Sequence, residues 1–87
     1  MKHATTVALD ALDDLLEELR RVDGLVERKR GIFHRKSAAF LHFHEDPAGF
    51  FADVRIGPTW RRLPVTTTRE RRALVRLIRA QLRAGAQ

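Results

Sequence analysis

The sequence predicts an α+β domain of order α-β-β-β-(β)-α, with a small antiparallel sheet and both helices packed on one of its faces. Three observations carry this reading. Residues 37–56 alternate apolar and polar side chains in two runs joined by a turn, an apolar stripe at helical spacing lies on either side of that hairpin, and no repeat or low-complexity linker interrupts the order. Eighty-seven residues suffice for a single core, so residues 1–87 are read as one domain.

The first helix starts at a Thr5 or Thr6 cap and carries Ala8, Leu9, Leu12, Leu15, Leu16, Leu19 and Val22 along one side. Asp10, Asp13, Asp14, Glu17 and Glu18 line the other side, and Arg20 and Arg21 fall in the last turn, where the helix dipole favours cations. Gly24 ends it. Leu25–Arg28 offers a short edge strand and Ile32–His34 a first full strand. In the latter, either Ile32 with His34 or Phe33 with Arg35 can face the core.

The central hairpin follows. Ala39, Leu41 and Phe43 alternate with Phe40, His42 and His44; after a reversal at Glu45-Asp46-Pro47-Ala48-Gly49, Phe50, Ala52, Val54 and Ile56 alternate with Phe51, Asp53 and Arg55. Pairing Phe43 with Phe50, Leu41 with Ala52 and Ala39 with Val54 makes one face continuously apolar. The other face then gathers Phe40, His42, Phe51, Asp53 and Arg55. A one-residue slip would bring Asp53 and Arg55 onto the buried face, so burial selects against it. Gly57-Pro58 turns the chain into Trp60–Val65, an edge strand because Pro64 has no N–H to donate. Thr67 and Glu70 have the spacing of a capping box, and Leu74, Leu77, Ile78 and Leu82 form the stripe of the last helix. Arg69, Arg72, Arg76, Arg79 and Arg83 form a column opposite that stripe.

Composition narrows the function. There is no cysteine, which excludes disulfides and thiolate metal sites. No apolar run approaches the roughly 18 residues that span a bilayer, so the expectation is a cytoplasmic protein without a membrane partner. The net charge of +6 is uneven: residues 1–23 hold three basic and six acidic side chains, leaving +9 for the remainder. Such asymmetry suits an anionic partner, although an arginine-rich surface also serves solubility alone.

Four readings follow from these residues. The leading one is a small binding protein, a homodimer that joins through the open sheet face bearing Phe40, His42, Phe51, Asp53 and Arg55, and Trp60 with them. A second is nucleic-acid binding through Trp60, Arg61 and Arg62 together with Arg72, Arg76 and Arg79 of the helical column. A third is a metal site at His42 and His44, two apart on one strand, which needs a further donor from Asp53, His34, Glu45 or Asp46. The fourth is acid–base chemistry by His42 and Asp53, for which the chain offers no accompanying nucleophile or glycine-rich phosphate loop. The expectation is a protein without a cofactor, and enzymatic activity is disfavoured.

The segments Ala39-Phe40-Leu41-His42-Phe43-His44-Glu45-Asp46 and Ala52-Asp53-Val54-Arg55 resemble those of a group of short bacterial proteins of unassigned activity. The same two strands are similar, more distantly, to luciferase-like domains, which pair a histidine-bearing strand with an aspartate-bearing one. The order of elements is loosely similar to YjbR-type domains, for which DNA binding has been suggested. These resemblances imply the α+β fold and transfer no catalytic residue.

Overall fold

A computed structural model describes residues 1–85. The elements are β1 (Lys2–His3), α1 (Thr6–Ala11), α2 (Asp13–Arg20), β2 (Val26–Lys29), β3 (Ile32–Arg35), β4 (Ala38–Asp46), β5 (Gly49–Ile56), β6 (Thr59–Pro64) and α3 (Thr68–Gly85). The antiparallel sheet runs β2-β3-β4-β5-β6, and β1 pairs with β4 beyond the reach of β3. No helix among the described residues is long and apolar enough to cross a membrane.

One face of the sheet meets all three helices. Leu41, Phe43, Ala52 and Val54 from the hairpin, with Phe33 from β3, pack against Leu12, Leu15, Leu16 and Leu19 of the first helical segment and Leu74, Val75 and Ile78 of α3. That segment, expected as one helix, is divided at Leu12, whose φ of −96° and ψ of 9° interrupt the helical run. Leu12 itself is fully buried, so the break leaves the apolar side continuous. The ambiguity in β3 resolves with Phe33 inward and Ile32 exposed.

The caps act as expected at α3. Glu70 N–H donates to Thr67 Oγ1 at 3.1 Å, and the Glu70 carboxylate accepts from the Thr67 N–H at 2.9 Å and the Thr66 N–H at 3.0 Å. At the other end of the sheet, Glu27 of β2 ties three pieces together: Arg20 Nε and Nη2 and the Gly31 N–H all donate to its carboxylate. The Arg20 guanidinium, acting against partial burial, holds that carboxyl below the usual glutamate range.

Two details of the hairpin correct the expected geometry. The pairs are Phe43 with Ala52, Leu41 with Val54 and His42 with Asp53, two residues out of step with the expected register. The reason is a tighter turn. Asp46 pairs with Gly49, only Pro47 and Ala48 lie between them, and the Ala48 N–H is satisfied by Asp46 Oδ1 at 2.7 Å. A shift of two preserves the side-chain faces. The second correction concerns Phe40, expected on the open face but 4% exposed within the core. Phe33 pairs with Leu41 and His34 with Ala39, so Phe40 is an extra residue in a β-bulge, where alternation is suspended and two successive side chains, Phe40 and Leu41, both go inward. Ala39 is correspondingly exposed.

Candidate metal centre on the open sheet face

The face of the sheet turned away from the helices collects polar and ring side chains from four strands. β4 sends His42 and His44 to it, two residues apart; β5 sets Phe51 opposite His44, Asp53 opposite His42 and Arg55 opposite Trp60; β6 sets Arg62 opposite Asp53. β1 adds His3 directly opposite His44. The short β1 strand is held by its ladder with β4, by the Ala4 N–H donating to Phe43 O at 3.0 Å, and by Glu45. Its carboxylate accepts from the Thr5 N–H at 2.8 Å and the Thr5 hydroxyl at 2.9 Å, and lies 3.8 Å from Lys2 Nζ. Those Thr5 hydrogen bonds, backbone first, pull the Glu45 carboxyl below its ordinary range.

Three imidazoles therefore converge. One ring nitrogen each from His3, His42 and His44 lies within 4.8 Å of the other two. His44 Nε2 is 3.2 Å from His42 Nδ1 and 2.9 Å from Asp53 Oδ2. A four-coordinate ion with metal–nitrogen bonds of about 2.0–2.1 Å requires ligand atoms about 3.3 Å apart, the edge of its tetrahedron. The His42–His44 distance is close to that edge, so an ion seated between these two nitrogens would have Asp53 Oδ2 beside the same shell. His3, exposed on its short strand, needs the larger adjustment.

The electrostatics keep the ligands available. Burial pushes the His42 pKa down, and the neighbouring His44 and His3 add to this against an opposing pull from Asp53; a neutral imidazole is the ligand form. Asp53 is held below the usual aspartate range, first by hydrogen bonds from Arg62, whose Nε and Nη2 lie 2.8 and 2.9 Å from its two oxygens. Asp53 thus stays a carboxylate, oriented by a two-pronged arginine contact. His44 is 8% exposed, and its Nδ1 is buried without a hydrogen-bond partner. Trp60 is 43% exposed, and its ring lies 5.2 Å from that of His42, forming one wall of the cluster.

Several expected groupings dissolve. Asp53 stands directly opposite His42 in the ladder, while its Oδ2 lies 2.9 Å from His44 Nε2, so the carboxylate is beside both imidazoles. Of the other donors considered, Asp46 is engaged by the Ala48 N–H, Glu45 by Thr5, and His34 lies outside the cluster. Trp60 and Arg62 share the open face, but Arg61 pairs with Val54 and so points to the helix side, where it lines a cleft with Leu63, Ala73 and Leu77. The helical arginines are on that side too, so Trp60, Arg62 and the column do not form one surface. His3 had no signal in the sequence, since its place depends on a two-residue pairing across more than forty positions.

No protein-family model, curated protein or solved structure matches this chain. The site therefore has to be read from its own geometry: an α+β domain whose uncovered sheet face carries a three-histidine cluster beside a carboxylate.

Proposed function

We propose that this chain is a metal-binding domain that holds a divalent first-row transition ion on its open sheet face, through His3, His42 and His44 with Asp53 beside them. The observation that carries the reading is the convergence of three ring nitrogens within 4.8 Å. Imidazole ligands without thiolates suit zinc, nickel, copper or ferrous iron and disfavour calcium and magnesium. Trp60 is the sole tryptophan and sits against His42, which makes the protein its own reporter. Titrating cobalt or nickel into tag-free, chelator-stripped protein is expected to quench its fluorescence to a 1:1 endpoint. His42→Ala should weaken binding by about 100-fold, while His34→Ala should leave it unchanged. Equal quenching in wild type and His42→Ala would overturn the reading.

The same face supports a second reading, self-association. Val26 (54% exposed), Ile32 and Trp60 are exposed apolar side chains, and their registers place all three on the face without helices. Two copies meeting there would bury these groups and enclose the histidines. Light scattering on the stripped and the metal-loaded protein should then return the mass of a dimer; a monomer in both states would end this reading.

A further inference from the structure

The outer side of α3 is a second surface, independent of the histidines. Arg69, Arg72, Arg76, Arg79 and Arg83 are all exposed, while Leu74, Val75 and Ile78 on the other side of the same helix are buried. Among the described residues none of the five forms a salt bridge with a carboxylate. Arg20, Arg30, Arg62 and Lys2 are the cations that do. The one acid of α3, Glu70, is committed to capping. Arg21 extends the column, lining a cleft with Arg79 and Arg83 in which Asp23 is the only acid.

We infer that this arginine column is a docking surface for the phosphate backbone of a nucleic-acid duplex. Charge complementarity is the argument. Arg69 to Arg83 spans about 21 Å of helix at 1.5 Å per residue. A duplex presents about one negative charge per 1.7 Å of axis, so every guanidinium in the column can meet a phosphate. Arginine stays charged at any physiological pH and matches phosphate oxygens with a two-pronged contact. The apolar side of α3 is used up in the core, which leaves nothing to insert into a lipid surface as an amphipathic membrane helix would. Trp60, the group best suited to stacking unpaired bases, faces the other way, so contacts fall on the backbone and carry no base preference.

The test is the anisotropy of a fluorescein-labelled 20-base-pair DNA duplex titrated with the full chain between 50 and 200 mM salt. Five phosphate contacts predict a slope of log affinity against log salt of about −4.5, at about −0.9 per contact. The triple variant Arg72→Ala, Arg76→Ala, Arg79→Ala, checked for an unchanged far-ultraviolet spectrum, should bind at least tenfold more weakly at 50 mM salt, with a slope near −2 (about −0.9 for each of two contacts). His42→Ala and Trp60→Ala should bind as wild type does, which separates this surface from the metal site. Absence of binding at 50 mM salt, an unaltered slope in the triple variant, or tighter binding to phosphatidylserine vesicles than to the duplex would each overturn the inference.

Discussion

Gly49→Ala is expected to lower the unfolding free energy by about 3 kcal/mol, from strain of about 1–3 kcal/mol at its backbone position and about 1 kcal/mol for a lost hydrogen bond. Gly49 closes the β4–β5 turn with φ of +136°, a conformation that side chains rarely adopt, and a Cβ there would stand 2.2 Å from Thr66 Oγ1. That hydroxyl cannot simply turn away. It accepts from the Phe50 N–H at 2.9 Å, beside the Val65 N–H that donates to Phe50 O at 2.8 Å, and together these join the start of β5 to the chain entering α3. An 87-residue domain has roughly 4–13 kcal/mol of stability in all, so the loss is a large share of it. The melting temperature should fall by about 12–24 °C, at about 4–8 °C per kcal/mol for a domain of this size. Gly57→Ala is the control. Its φ of +60° costs about 1–2 kcal/mol in alanine, and a Cβ there meets nothing within 4 Å. Equal melting temperatures for the two variants would show that the Thr66 contact contributes nothing.

Zinc at 100 times its dissociation constant is expected to raise the melting temperature at pH 7.5 by about 10–20 °C, because binding only the folded state adds about 2.7 kcal/mol. His44→Ala should abolish the shift, since His44 is the residue that touches both His42 and Asp53. The sign of the pH dependence follows from the ligand form. Metal binds neutral imidazole, so the stabilisation is present at neutral pH and is lost as pH falls through the titration of the folded ligands, which for His42 lies below its ordinary value. The metal-free chain should also lose some stability on acidification. His42 has a depressed pKa in the fold, so the unfolded chain takes up its proton first and gains over the folded state as pH falls. A zinc-induced shift of equal size at pH 5.0 and 7.5 would place the ion elsewhere.

Much of the architecture was legible because local and global signals agree. Period-two alternation from Leu41 to Phe43 and from Phe50 to Ile56 marked the strands, the leucines of the first segment and of α3 marked the core sides of the helices, and Thr67 with Glu70 marked where α3 begins. Burial protects the face assignment of His42, Phe51, Asp53 and Arg55 even though the register itself was off by two, because the side-chain period is also two. Phe40 was misplaced for the complementary reason. A bulge inserts one residue without altering the apolar pattern, and an aromatic gains enough by burial to follow the core instead of the alternation. The arginine column and Trp60 were each found, yet composition could not tell that the sheet separates them. His3 was the real omission: the third imidazole arrives through a long-range strand pairing with no local signature.

That last feature sets how the ion would be gripped. His42 and His44 are anchored in the longest strand of the sheet, whereas His3 comes in on a two-residue strand tied by its pairing with β4 and by the Glu45 carboxylate on Thr5. The cluster thus joins two ligands from one long strand to a third from a two-residue strand. An ion bound there would depend on how firmly the amino-terminal arm is held, so the Glu45 carboxylate, outside the ligand set, would help decide how long the ion stays.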